Sequence, residues 1–579
     1  MESYIELNKL LFKNDEKTQI GENGHIEYSW SSELRESIVQ FMFQLVRTSK
    51  DQLNCLSYKL YEILRLMQNS ERSERSEHSD YMITLYKMIG NTRDIVSGKG
   101  ERELSYMQIV VWHNFFPDLS QYALKTFVIS ETGEHPYGSW KDIKYFCNFC
   151  KSLGFPRNHA LIQYAMSLII LQLKKDEEHG GGKSLVAKWI PRENSEKFGW
   201  IFNELSYKYF SEYLDSANTP EKLKRAENKC KMEFRKINSR LNKEINTVQI
   251  NQCQGKWRHI DHTKITSMTI QKQKRAFLNI TKNADVCSDK DDRIICANRF
   301  INIIRNTPSD IKSTHISIDT LVKEAVEIIQ KKEKGIKSVI EEELLNNRWI
   351  NKFKTDTYNE IGNVIPIIDM TLFRDSDAAY TAIGMGIHCA EKSLLGKRVL
   401  ISNSDWINLE DCGNFIEMVS RVYNSKELTV NFYSAFDKIM TGIEESGITY
   451  EEAADLSIAI FSDMQIQPEL FYEKESFYEA IKKKYEDLGM KLYRKKLVPP
   501  HILFWNMRST NGFPVLSSTK NATMISGNNH ALLKHFGKSG ASGLSSPWIS
   551  MMNILRNRRY LPLENRMKEH LRINDKIEI

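Results

Sequence analysis

The run Val364 to Ile368, VIPII, ending at Asp369, constrains this chain more than any other stretch. Upstream of it, apolar residues recur at helical spacing and no strand-like alternation intrudes. Downstream, short β-branched runs alternate with helical segments. Five apolar residues closed by a carboxylate suit a strand buried on both faces. The length alone does not exclude a buried helix segment, and Pro366 counts against a central strand. As a strand, the run places Asp369 at the carboxyl edge of a sheet, where open α/β folds hold their ligands. The same aspartate can instead cap the following helix. The residues leave both readings open.

The periodicity predicts helices over 33–47, 53–67, 81–88, 101–116, 119–129, 139–153, 159–173 and 316–353, with a polar low-complexity link at 69–80. Short helices with short links suggest a helical-repeat array without a strict sequence period. Further strands are expected at 398–402, 456–461, 501–505 and 521–526. Helices at 378–394, 414–423, 431–441, 471–488 and 546–557 complete an alternation that implies a mainly parallel, doubly wound sheet. The expected organisation is a loose polar arm at 1–30, an α-helical repeat half at 31–355, and an α/β half at 360–579.

The balance of 81 Lys+Arg against 74 Asp+Glu gives a net charge of +7 over 579 residues. This permits nucleic-acid binding through a local patch without arguing for it globally. Nine irregularly spaced cysteines suggest reduced thiols in a cytosol-like compartment. Met1 to Leu11 lacks the basic start and apolar core of a secretory signal, and no run approaches the ~20 apolar residues of a membrane span. A cytoplasmic location without a membrane partner is therefore expected. Cys147-x-x-Cys150 has no second pair at zinc spacing and reads as core thiols. Gly180 to Ser184 imitates a phosphate loop but lacks the spaced first glycine and a preceding strand. No acid–base constellation stands out, so no catalytic residue is assigned and no enzyme is expected.

Two stretches concentrate positive charge. Residues 221–244 carry nine Lys/Arg beside four glutamates, which suits either a solvated helix with internal ion pairs or a phosphate-facing surface. Residues 255–275 interleave basic groups with Trp257, as a single-strand binder would. The nucleic-acid candidates are Lys231, Arg235, Lys236 and Arg240, then Lys256, Arg258 and His259, with Trp257 as a stacking platform. Arg93, Lys99 and Arg102 form a third set.

Asp369 and Asp463 each follow an apolar run. If both runs are parallel strands, both carboxylates share one sheet edge and offer the hard oxygen ligands that Mg²⁺ takes. This arrangement resembles the ion site of the von Willebrand factor A (vWA) domain: Asp-x-Ser-x-Ser after the first strand, a middle-loop Thr, and an Asp after the fourth strand. IPIIDMT (365–371), AIGMGIHCAE (382–391), GKRVLISN (396–403), VNFYSAFDKIM (430–440), IAIFSDMQI (458–466), ILFWNMR (502–508) and ATMISGNNHALLKHF (522–536) carry the likeness. RDIVSGKGERELSY (93–106), GSWKDI (138–143), SLVAKWIPRENS (184–195) and residues 234–277 extend it into the first half.

The chain thus resembles an uncharacterised family that joins a TROVE-like helical-repeat half to a vWA-like half, known from large DNA viruses and some cellular organisms. Its distant relative is the Ro ribonucleoprotein, a ring of helical repeats closed by a vWA domain that holds single-stranded RNA ends. The resemblance implies a non-enzymatic RNA-binding, ribonucleoprotein-like scaffold in a host cytoplasm or virion. The alternative it implies is a protein-interaction module acting through the vWA-like edge. The ion site departs from the pattern. Asp369, Thr371 and Asp463 keep three ligand positions, but Phe373 stands at the second Ser and Val430 at the Thr, with Thr429 beside it. Asp375 and Asp377 lie nearby. The expectation is a degenerate site without a cofactor, Mg²⁺ being the one ion the remnant would take.

Overall fold

The computed structural model describes residues 18–68, 75–178, 181–354, 360–370, 376–401, 406–425, 431–466, 475–533 and 545–577. They fall into two compact units. The first takes the described residues up to Lys59 together with Thr357–Gly413 and Glu417–Arg556. The second takes Leu60–Asp356, Asn414–Ile416 and Asn557–Ile579. The units therefore interleave along the chain, whereas the sequence suggested a linear arm, helical half and α/β half.

The first unit is α/β. Strands β1 (Thr18–Ile20) and β2 (Ile26–Tyr28) form an antiparallel hairpin. Tyr28 exchanges two backbone hydrogen bonds with Phe513, of 2.9 and 3.0 Å. The described part of the expected loose arm is thus ordered; three-residue strands are too short to show a period of two. Strands β3 (Val364–Ile368), β4 (Arg398–Ile401), β5 (Trp406–Asn408), β6 (Ser457–Ser462), β7 (His501–Asn506) and β8 (Ala522–Ser526) make the main sheet, in the order β5-β4-β3-β6-β7-β8. All neighbours are parallel except β4 and β5. Counted from β3 as the first strand, this is the doubly wound order 3-2-1-4-5-6, which reverses direction between β3 and β6. The edge strand β5 escaped the sequence reading for the same reason as the hairpin.

Every residue of β3, β6, β7 and β8 is buried, so both sheet faces are covered. Pro366 is tolerated in central β3 because pairing to β4 begins only at Ile367. Its missing N–H falls where that side of the strand has no ladder. The helix Asp377–Lys392 packs on β3, β4 and β6. Gly386 makes this approach close: a Cβ there would collide with the Ile368 side chain. Ser376 caps this helix, accepting from the Ala379 N–H at 3.1 Å. The cap leaves Asp369 to another role.

The second unit is helical. Successive helices pack as pairs: Glu103–His113 with Pro117–Thr126, Lys141–Ser152 with Ala160–Glu178, Gly199–Tyr209 with Pro220–Ile245, Ser267–Leu278 with Asp291–Asn306, and Ile318–Glu333 with Val339–Phe353. The helix expected at 81–88 runs from Arg75 to Arg93. It packs against a further helix, Leu561–Ile577, which the sequence reading did not separate from the α/β half. Arg559 holds Asp94 through Nε and Nη2 at 2.7 and 2.8 Å, and Lys87 pairs with Glu564 at 2.5 Å. Cys147 and Cys150 are buried thiols of this core. No helix among the described residues is long and apolar enough to cross a membrane.

Candidate functional site

The structure separates the basic candidates sharply. Arg93 is buried, and its Nε and Nη2 donate to the two oxygens of Asp142 at 2.8 and 2.7 Å. Asp142 also accepts from the Tyr106 hydroxyl at 2.6 Å and the Ser139 N–H at 2.8 Å. Burial alone would raise the Asp142 carboxyl, but Arg93 and these donors hold it below the usual range. Lys99 is buried as well. Its loop folds back on the helix end, with Lys99 N donating to Asn91 O and Glu101 N to Thr92 O, both at 2.8 Å. Burial pushes the Lys99 amine down to about 7, against the opposing pull of Glu101. The proposed phosphate contacts of Arg93 and Lys99 are therefore corrected: neither reaches a polyanion. Their acidic and loop partners are distant or conformational, and spacing could not reveal them.

Trp257 is half-buried, and the Arg293 guanidinium lies 3.9 Å from its ring centroid, so one face of that stacking platform is already covered. Arg258 donates to Asp292 through both N and Nε at 3.0 Å. Lys256 and His259 are exposed. Lys231 and Arg235 share Glu193 at 4.0 and 2.6 Å, Lys236 pairs with Glu233 at 2.9 Å, and Arg240 pairs with Glu177. These are surface pairs of small energetic worth. Along the same helix, Lys222, Arg225, Lys229, Lys236, Arg240 and Lys243 recur at steps of three, four and seven, and all are exposed. Arg225 and Lys243 have no acidic partner within 4.0 Å among the described residues.

A further cationic site lies elsewhere in the helical unit. The first turns of helix Lys141–Ser152 place Lys141, Lys144 and Tyr145 on one face. Arg102 at the start of helix Glu103–His113 rests over the Tyr145 ring at 5.0 Å, and Lys141 at 5.1 Å. Trp189 ends a short helix and receives Lys144 at 5.1 Å, Lys141 at 5.7 Å and its neighbour Lys188 at 5.9 Å. Phe198 meets Tyr145 edge-on at 5.2 Å and lies 5.5 Å from the Lys197 ammonium. None of Arg102, Lys141, Lys144, Lys188, Lys197 and Lys272 has an acidic partner within 4.0 Å among the described residues. The nearby Asp142 is already engaged by Arg93.

Like charges without counter-ions should lower one another's basicity. Burial, then Arg102, Lys272 and Lys144, push Lys141 down to about 8. Burial pushes Lys144 and Lys188 down. Only Arg102 of this cluster stood among the sequence candidates. Of the others, Lys141 and Lys144 fall in the helix expected at 139–153, Lys188 in the likeness segment 184–195 with Lys197 just beyond it, and Lys272 in the basic stretch 255–275, although the pairs Lys188-Trp189 and Lys197-Phe198 already show basic groups beside aromatics.

In the α/β unit, Asp369 and Asp463 do share one edge. They follow β3 and β6, adjacent parallel strands at the reversal point of the sheet. Asp369 is fully buried and accepts from the Ser462 hydroxyl at 2.6 Å. Asp463 accepts from the Gln465 N–H at 3.2 Å through Oδ1 and from Arg508 Nε at 2.9 Å through Oδ2, which also lies 2.8 Å from Arg508 Nη2 as an ion pair. A guanidinium thus supplies the positive charge where a divalent ion would need this carboxylate, so the described donors of this edge do not fit a metal. Thr371, Phe373, Asp375, Thr429 and Val430 lie outside the described residues. Asp377 pairs with Arg47 at 2.9 Å instead of joining the edge.

Residues 369–552 match the model of a domain of unknown function, DUF7788, a span from the exit of β3 to the last helix of the α/β unit. The chain is also similar to the uncharacterised protein L728 of Acanthamoeba polyphaga mimivirus. The two are 22% identical over 471 residues, covering 77% of this chain and 75% of that protein.

Proposed function

We propose that the protein is a non-enzymatic RNA-binding scaffold whose helical unit holds single-stranded RNA. The carrying observation is the cluster of Arg102, Lys141, Lys144, Lys188 and Lys197 around Tyr145, Trp189 and Phe198, with Lys272 near enough to act on Lys141. Cations gathered without ion-pair partners of their own are unfavourable alone and are relieved by a polyanion. Aromatic rings between them offer faces on which bases can stack. The exposed basic stripe of helix Pro220–Ile245 provides a second run of phosphate contacts, because its surface pairs exchange readily for phosphate. The paired helices support a TROVE-like reading of this unit, and the strand order 3-2-1-4-5-6 supports a vWA-like reading of the other. With a mimivirus protein among the similar chains, the compartment proposed is a host cytoplasm or a virion.

The test is fluorescence anisotropy of labelled single-stranded RNA on the full chain across a salt series. Affinity should fall steeply with salt, and the paired substitution Lys141→Glu and Lys144→Glu should weaken it at least about tenfold. Equal affinity of the folded variant and the parent protein would defeat this reading.

A second reading, a protein contact through the α/β edge, is favoured by one observation: Arg508 there also pairs with an exposed carboxylate, Glu22, at 2.7 Å.

A further inference from the structure

The edge that carries Asp369 and Asp463 has an organisation of its own. Arg508 turns the Nε side of its guanidinium inward to Asp463. Its outer end, Nη1 and Nη2, faces the two oxygens of Glu22 at 3.3 and 2.7 Å. A planar guanidinium has five donors in a fixed fork and can serve two carboxylates at once. The inner pair is mostly buried and fixes the group. The outer pair is exposed, with side-chain exposures of 38% for Arg508 and 55% for Glu22, so it is the exchangeable one.

Glu22 belongs to the turn between β1 and β2. Its N–H donates to Gln465 Oε1 at 2.8 Å, and Asn23 Nδ2 donates to Gln465 O at 2.7 Å. Gln465 lies two residues beyond Asp463. The hairpin turn is therefore fastened to the carboxyl edge, at the reversal point where doubly wound sheets take their ligands. Arg508 is positioned independently of it, its N–H donating to Asn506 Oδ1 at 3.0 Å.

We propose that this edge is a metal-independent carboxylate-recognition site built on Arg508, and that Glu22 occupies it in cis as an internal ligand which an acidic peptide must displace. The inference deepens the reading of the α/β edge as an interaction surface and is independent of RNA binding. The occupant is assigned by the cis group itself, a carboxylate set two-point against the fork. Tethering gives Glu22 a high effective concentration, so the site is masked in the parent protein and opened by loss of that one charge.

The experiment titrates a fluorescein-labelled oligoglutamate peptide against the full chain, with oligoglutamine as control, in EDTA and in a parallel EDTA-free series with added Mg²⁺. Glu22→Gln should bind oligoglutamate about tenfold tighter than the parent protein, and Arg508→Gln in that background should abolish binding. If Arg508→Gln does not fold, Arg508→Lys replaces it; it keeps the charge, loses the fork, and should still weaken binding. Equal binding by Glu22→Gln and the parent protein overturns the internal-ligand assignment while leaving the surface itself standing. No binding to any variant overturns the interaction surface as well. Dependence on added Mg²⁺, or equal binding of oligoglutamate and oligoglutamine, overturns metal-independent carboxylate recognition by Arg508. RNA affinity should be the same in Glu22→Gln and the parent protein, which separates this result from the fate of the RNA reading.

Discussion

Arg93 and Asp142, 49 residues apart in sequence, meet as a two-point ion pair from which solvent is almost wholly excluded. The pair joins the C-terminus of helix Arg75–Arg93 to the first turn of helix Lys141–Ser152. Asp142→Asn removes the counter-charge and leaves a buried guanidinium, at an expected cost of about 3–5 kcal/mol. Urea unfolding of the full chain, followed through the transition of the helical unit, measures it. A shift within error of zero would mean that the pair is not the anchor described.

Lys99 ties stability to pH in an uncommon direction. Its amine falls to about 7 in the folded state, below the ordinary lysine value near 10.5. Between these values the unfolded chain binds the extra proton, so stability rises with pH across roughly 7 to 10.5. Below pH 7 both states are protonated and the full penalty of the buried charge applies. Lys99→Met should therefore raise the melting temperature at pH 6, and the gain should shrink as pH climbs through that window. Thermal melts of both proteins at a series of pH values decide the sign.

RNA affinity should carry a related signature. Lys141, near 8 when free, is expected to take up a proton as phosphate approaches. Binding should weaken as pH rises past about 8, beyond the change seen in the Lys141→Met variant. Calorimetry in two buffers of different ionisation heat should show proton uptake at pH 8.5.

Stacking gives a residue-level contrast. Trp189→Ala should cost RNA affinity about 1–3 kcal/mol, the usual range for one base–aromatic contact. Trp257→Ala should cost less, because Arg293 already covers one face of that ring. Anisotropy titrations of the two variants check the order, and the reverse order would shift the binding surface to residues 256–259.

Gly386 tests the packing of the α/β unit. A methyl group added there meets Ile368 of β3, so Gly386→Ala should destabilise by about 1–3 kcal/mol despite its better helix propensity. Ile368→Val in the same chain should recover part of the loss, as measured by thermal unfolding.

The sequence by itself determined the parallel strands. VIPII, RVLI, LSIAIF, HILFW and NATMIS are short, mostly apolar runs set between helical segments, the pattern expected of strands buried on both faces, and each forms such a strand. It also placed Asp369 and Asp463 on one edge once the strands are parallel, and the pairing of β3 with β6 made them neighbours. Tertiary structure alone decided the rest. Three-residue strands such as β1, β2 and β5 have no period to read. A lysine or arginine is the same letter whether it meets water, an aromatic ring or a carboxylate. Arg93 and Lys99 went inside, Arg102 joined the cationic cluster, and Arg508 took the charge position beside Asp463. Electrostatic energy depends on distance and on solvent exclusion, and both are properties of the folded chain.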